Sequence, residues 1–194
     1  MGQSPFLEAR ELKEIGFSEV GENVQVSRKS SFYRISGRIG SNVRIDDFCI
    51  FKGHVELGSY VHIAAYCSVS GAHAKVEIQD FSTLSNRVSI FTGSDNYAAD
   101  TLNNSQVPEE FTSIKKGPVT IGQAVLIGAH SVILPGVAIG DAASVGAMAL
   151  VAKSVPAGGV VRAPAATIHS ERKRDVGKIR AMARDFLARV RKKN

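Results

Sequence analysis

From Ile121 onward every sixth residue is aliphatic: Ile121, Ile127, Ile133, Ile139, Val145 and Val151, with glycine following at 122, 128, 140 and 146. A second column, four residues after each of these, is small or β-branched: Val125, Ser131, Val137, Ala143, Ala149 and Val155. The same register runs through Val20, Val26 and Phe32, then Ile39, Ile45, Phe51, Leu57, Ile63 and Val69, then Ile78, Leu84 and Ile90. A fixed short period is the mark of a solenoid, and a hexapeptide period predicts a parallel β-helix. Six residues make one flat strand and a bend, so three sides close a triangular coil of about eighteen residues stacked on the next by parallel hydrogen bonds.

The rhythm breaks twice. Nine residues instead of six separate Val69 from Ile78, which places a three-residue insertion in Gly71-Ala-His73-Ala-Lys75. Between Ile90 and Ile121 the repeat disappears, predicting an extended loop over 92–118, and long loops on a rigid scaffold commonly carry function. With Ile39, Leu57 and Ile78 as coil starts, His54, His73 and Asp95 all fall at the third corner, where the loop departs. Residues 5–15 predict a short amphipathic helix covering the open end of the solenoid. Ile179, Met182, Phe186, Leu187 and Val190 recur at helical spacing within Asp175–Lys193, predicting a C-terminal amphipathic helix whose charged face is solvated or meets a nucleotide's phosphates.

Composition changes this picture little. The net charge of +6 comes largely from Glu171-Arg-Lys-Arg174 and Arg189-Val-Arg191-Lys-Lys-Asn194, a local basic tail rather than a binding face. With 7% aromatic residues and no Trp, no platform for stacking bases is visible, which argues against nucleic acid. No apolar run is long enough to span a membrane, and the first residues lack a secretory pattern, so a cytoplasmic protein without membrane insertion is expected. Cys49 and Cys67 occupy the small inward column one coil apart, predicting stacked, buried, reduced thiols.

The stretches Ile133-Leu-Pro-Gly136, Val145-Gly-Ala147, Val151-Ala-Lys153-Ser-Val-Pro156 and Ala163-Pro-Ala165 resemble those of the hexapeptide-repeat acyltransferases, most closely the branch that acetylates sugars. That resemblance implies a mainly β, left-handed parallel β-helix over 20–168, between a capping segment 1–19 and a basic helix 169–194. It implies an acetyl-CoA-dependent acetyltransferase acting on a hydroxyl or amine of a sugar, nucleotide sugar or surface-polysaccharide precursor, without a metal. It also implies a homotrimer with sites between subunits; an apolar side bearing Ala124, Leu126 and Ala142 agrees with this.

Acyl transfer requires a base for the nucleophile's proton, donors for the oxyanion and a groove for the CoA arm. Most sugar-acetylating members carry a catalytic His in the extended loop; here the matching position is Asp95, in Thr92-Gly-Ser94-Asp95-Asn96-Tyr97. Either Asp95 is the base, or it orients His73 or His62, which then takes the proton. Asn86 matches a position that contacts the acceptor, and Asn96 and Tyr97 join it as candidate acceptor contacts. Ala129 and Ala147 match the residues lining the pantetheine groove, and Lys153, with Arg162 nearby, matches those near the CoA phosphates. Two positions often basic in relatives are Ala166 and His169 here. His54 and His130 read as solvent-exposed corner residues. A zinc hydratase on the same fold would need a close His pair, and His62 and His73 are eleven apart. A non-catalytic solenoid would need neither Lys153 nor the loop over Asp95.

Overall fold

In the computed structural model, which describes residues 4–102, 104–163, 167–168 and 175–191, the chain winds into a three-sided coil. On the first side Val20, Ile39, Leu57, Ile78, Ile121, Ile139 and Val155 stack in parallel register. The second side stacks Val26, Ile45, Ile63, Leu84, Ile127, Val145 and Val161. The third stacks Phe32, Phe51, Val69, Ile90, Ile133 and Val151. Nearly every one of these side chains is buried, as are Val125, Val137, Ala143, Ala149 and Val155 of the second column. Full burial of one such aliphatic side chain is worth about 1.5–3 kcal/mol, so the hexad pattern is itself the driving force for closure. The one hydroxyl of that column, Ser131, donates to the Gly146 carbonyl at 2.9 Å.

Two corners of each coil turn through a residue with positive φ. One column of these is Asn42, Tyr60, Phe81, Ala124 and Ala142; the other is Phe48, Tyr66, Arg87, His130 and Met148. Left-handed backbone is costly for residues with a Cβ, and each coil offsets the cost by bonding to its neighbour. In the second column the amide N–H groups of Tyr66, Arg87, His130 and Met148 donate at 2.8–3.1 Å to carbonyls of the preceding coil. Cys49 and Cys67 are buried in the interior as expected, with Cys67 donating to the Ser85 carbonyl at 3.1 Å.

The ends depart from expectation in instructive ways. The lead-in helix α1 (Ala9–Ile15) is shorter than residues 5–15, because Phe6–Leu7 forms a strand antiparallel to Gln25–Ser27 before it. Glu8 and Glu11 form a capping box, and the Arg28 guanidinium grips the Glu11 carboxylate with two bonds of 2.7 Å. Leu12 and Phe17 then plug the first coil. At the other end Val160–Arg162 pairs antiparallel with Thr167–Ile168. Helix α2 (Val176–Arg191) begins on an Asp175 side chain that accepts from the Lys178 amide at 2.8 Å; Lys193 lies outside the described residues.

Helix α2 also corrects one expectation. Ala124 and Ala142 are not part of an open apolar side: with Phe81 they line a cavity of about 290 Å³ closed by Ile179, Ala183 and Leu187. Phe186 meets both Tyr60 and Phe81 edge-on, with ring centroids 5.2 and 6.5 Å apart, while Tyr60 and Phe81 stack at 5.1 Å. Small residues at this corner admit a helix of the same chain; Leu126 of that side remains exposed.

Candidate active site

The third corner is built differently from the other two. Strands Ser31–Ile39, Ile50–Leu57 and Ser68–Ile78 run through it without interruption, and Gly53 pairs with Gly71 whereas Val55 pairs with Val76, which locates the three-residue insertion at His73. One coil further on, the extended loop begins at Thr92, whose side chain is fully buried. Its hydroxyl donates to the Ser70 carbonyl at 2.8 Å and accepts from the His73 and Ala74 amides at 3.2 and 3.3 Å. The Gly117 amide closes the loop by donating to the Thr92 carbonyl at 3.0 Å. Thr92 thus joins the insertion of one coil to both ends of the loop above it.

Beyond Thr92 the loop forms a hairpin in which Gly93–Asp95 pairs antiparallel with Ile114–Lys116. The His73 ring occupies the place where a side chain on Gly93 would lie. Strand alternation puts Asp95 on the same face as Gly93, toward the His73 side. Glu109, returning from the far end of the loop, bonds to Lys116 at 2.7 Å. That bond and the Lys116 charge hold the Glu109 carboxyl below its ordinary value, with a smaller contribution from nearby His73. Asn96 is used in the loop's own fold: its amide donates to the Ser113 carbonyl at 2.9 Å and its side chain to the Ser113 hydroxyl at 3.3 Å. Tyr97 projects into solvent, 87% exposed.

The structure places the remaining candidates in separate groups. His54 is at this corner but turned to the first side, bonded to Ser36 at 2.9 Å and Glu56 at 3.2 Å. His62 lies on the second side, away from Asp95 in the same chain, with Nε2 3.0 Å from the Asp46 carboxylate. Burial acts to raise the Asp46 carboxyl, but hydrogen bonds from His62 and Arg44 outweigh it and hold the group low. Asn86 and Ala147 are exposed and Ala129 half-buried, all in one column beside the positive-φ corner, linked through His130 to the Asn86 carbonyl and Met148 to the Ala129 carbonyl. Arg162 ends the second side next to Gly146, above that column. Lys153, exposed, follows Val151 toward the loop corner. One chain therefore carries His73, Asp95 and Lys153 at one end of the third side, and Asn86, Ala129, Ala147 and Arg162 at the other. Ala166 and His169 lie outside the described residues.

Residues 36–71 and 118–153 match the family model described as bacterial transferase hexapeptide (six repeats). A dTDP-4-amino-4,6-dideoxy-D-glucose acyltransferase of Escherichia coli is 46% identical over 136 residues, 68% of this chain and 70% of that protein. This chain belongs to the hexapeptide-repeat acyltransferases. Among solved structures, this acyltransferase superposes on AntD, an N-acyltransferase of Bacillus cereus in complex with dTDP and 3-hydroxybutyryl-CoA. The TM-score is 0.86 at 36% identity, covering 97% of this chain and 100% of AntD. AntD with an aspartate replaced by alanine, in complex with dTDP and coenzyme A, matches with TM-score 0.85 at 38% identity, covering 96% and 99%. A maltose O-acetyltransferase of Clostridium difficile 630 shares the architecture more loosely, with TM-score 0.50 at 26% identity over 84% of this chain and 73% of the other.

Thr92, Gly93, Glu109 and Asp46 were not identified from sequence. Thr92 directly follows the last strand before the repeat fails, and Asp46 follows directly after the hexad residue Ile45. Neither position carries a signal of its own, since a register reports which side chains point inward and not what outward ones touch. Among the described residues, no group of three or more His, Cys, Asp or Glu is gathered as a metal site, and no helix is long and apolar enough to cross a membrane.

Proposed function

We propose that the enzyme transfers the acyl group of acyl-CoA, acetyl-CoA in the simplest case, to the amine of a nucleotide-linked amino sugar of the dTDP-4-amino-4,6-dideoxyhexose type, with Asp95 as the base. The observation that carries this reading is the Asp95 carboxylate itself. Half-buried in the first strand of the loop hairpin, it has no side-chain hydrogen-bond or ion-pair partner among the described residues, whereas Asp46, Asp47, Asp80 and Asp141 are all committed. An unpaired acceptor at the root of a loop is available to a substrate N–H. The amine nitrogen attacks the thioester carbonyl carbon, Asp95 takes the amine proton, the C–S bond breaks, and that proton passes to the departing CoA sulfur. His73, packed against Gly93, fixes the hairpin that carries Asp95.

The separation of the two groups across the third side supports a homotrimer in which the loop corner of one subunit meets the Asn86, Ala129 and Ala147 column, or the His62 side, of the next. The pantetheine arm then runs along the small residues toward Lys153 and Arg162. Ser85, half-buried beside Asn86, joins the acceptor contacts; AntD has been altered at a serine as well as at an aspartate in complexes holding dTDP-4-amino-4,6-dideoxyglucose or dTDP. Both substrates are cytoplasmic metabolites, and the enzyme acts there. Asp95→Ala and Asp95→Asn test the reading: transfer to dTDP-4-amino-4,6-dideoxyglucose falls by about 10²–10⁴-fold while CoA affinity is retained. Unchanged turnover in both variants sinks it.

A further inference from the structure

We propose that Glu109 is a positioning residue that holds the Lys116 ammonium away from Asp95, so that the Asp95 carboxylate stays unpaired and free to take a proton. The inference rests on the reading of Asp95 as the base and adds what keeps that base available.

The register of the loop hairpin sets the problem. Gly93 pairs with Lys116, Ser94 with Lys115 and Asp95 with Ile114. Residues directly opposite in an antiparallel pair share a face, and faces alternate along each strand. Gly93, Asp95, Ile114 and Lys116 therefore lie on one face of the hairpin, and Ser94 and Lys115 on the other. Lys116 is thus the diagonal neighbour of Asp95. Diagonal neighbours have Cβ atoms roughly 7–8 Å apart, a gap that a long side chain spans. A cation within about 4–6 Å of a carboxylate lowers its basicity, so a Lys116–Asp95 pair would both occupy and weaken the base.

The lysine is instead turned the other way, with Nζ 2.7 Å from Glu109 Oε1. Glu109 opens a single 3₁₀ turn, Glu109–Phe111, that is fixed at both ends. Its carbonyl accepts from the Thr112 amide and hydroxyl, each at 3.0 Å, and the Phe111 carbonyl accepts from the Leu102 amide at 2.9 Å. Lys116 is anchored in turn by its neighbour Gly117, which closes the loop on Thr92. The bond to Lys116 holds the Glu109 carboxyl below its ordinary value, so Glu109 keeps its charge throughout the neutral range. The pair is open to solvent, with the Glu109 side chain 80% exposed. Exposed pairs contribute little to stability; the consequence of this one is where it puts the cation.

The other charged groups around the hairpin are accounted for. His73, from the inserted turn, lies against Gly93 on the Asp95 face. His54 and Lys75, from the strands beneath, are engaged by Glu56 and Glu77 on the first side. Lys115 is on the opposite hairpin face, and Asp100 and Glu110 are exposed farther along the loop. Among the described residues, Lys116 is the lysine or arginine that has both the face and the reach to meet Asp95 within one chain.

The test uses the full chain, with dTDP-4-amino-4,6-dideoxyglucose and acetyl-CoA as substrates. Glu109→Ala frees the lysine for Asp95, and kcat/KM for the nucleotide sugar falls about five- to tenfold. Activity rises with pH as Asp95 loses its proton; pairing lowers that carboxyl, so in Glu109→Ala the rising limb moves to lower pH by about one unit or more. Lys116→Met introduced with Glu109→Ala restores both the plateau and the limb to within about twofold and a few tenths of a unit of the parent, and Lys116→Met alone stays at parental activity. High salt, which screens an exposed pair, brings Glu109→Ala back toward the parent. If the ion pair only braces the loop, the double variant is as poor as Glu109→Ala and the pH limb does not move, which overturns the proposal. Unchanged activity and pH profile in Glu109→Ala overturn it too, while Asp95 as base survives provided Asp95→Asn is inactive. If Asp95→Asn is fully active, the reading of Asp95 as base falls and this proposal falls with it.

Discussion

The ring of His73 fills the space that a side chain on Gly93 would need, so the inserted turn of one coil and the first residue of the loop hairpin on the next are fitted to each other. Gly93→Ala must push His73 aside or lift the hairpin. We expect kcat to fall about tenfold or more with little change in CoA affinity, since misplacement of a catalytic group by about 1 Å is worth up to 10²-fold. His73→Ala introduced with Gly93→Ala relieves the clash and regains the hairpin geometry. Steady-state kinetics on the single and double variants separate this from a direct role of the imidazole: if His73 is itself the base, the double variant is no better than the single one.

Thr92→Val keeps the shape of the buried side chain but leaves the His73 and Ala74 amides without their acceptor. An orphaned buried donor costs about 1–3 kcal/mol. Unfolding in denaturant should shift to lower concentration by a corresponding amount, and transfer should drop with it. Thr92→Ser keeps the oxygen and should stay close to the parent in both measurements.

The Arg180–Asp141 ion pair ties helix α2 to the coil and gives its docking a pH dependence. Burial works to raise the Asp141 carboxyl, yet the Arg180 guanidinium and the Gln123 amide, which donates at 3.0 Å, hold it below its ordinary value. A carboxyl that is lower in the folded than the unfolded chain contributes stability above its unfolded value, and that contribution is lost as pH falls through the folded one. Docking of α2 therefore weakens on acidification below about pH 4, the ordinary range of Asp. Proteolysis within α2 and the near-ultraviolet signal of Tyr60 report it, and in Asp141→Asn both should lose their acid dependence.

Cys49 and Cys67 are sealed in the interior, and the neighbouring Cys49 thiol, together with burial, pushes the Cys67 thiol upward. Thiol reagents act on exposed thiolates. Neither cysteine should react in the native protein, and both should react together on unfolding. Rapid modification of one under native conditions would contradict the packing described here.

Much of this architecture was readable from a single strand of letters because interior geometry imposes a strict demand on every sixth residue. Ile39, Leu57, Ile78 and Ile121 stack where the register predicted, and so do the insertion at His73 and the departure of the loop near Asp95. What the register cannot report is the outside. Phe48, Tyr66 and Arg87 form a stack along one corner, with rings 5.0 Å apart and the guanidinium 4.9 Å above Tyr66, yet none occupies a position with an inward requirement. The docking of α2 onto Ala124 and Ala142 was missed for the same reason: Phe186 and Phe81 are far apart in sequence, and small residues at a corner look alike whether they await a helix or another subunit. His62 and Asp95 are the sharpest case among the candidate residues. Counting hexads puts them on different sides of the triangle, and only a neighbouring chain can bring such positions face to face.

A stack of parallel coils has no natural last member, because each rim offers the same row of amides and carbonyls that the previous coil used. Here the row of the second side is covered at both rims by a segment running backwards, Phe6–Leu7 at one and Thr167–Ile168 at the other. These short reversed segments break the parallel repeat at both ends of the second side, so a second molecule stacked head to tail does not meet the edge that one coil offers the next. Contacts between copies are thereby diverted to the long faces of the prism, where the candidate residues for acyl transfer are displayed.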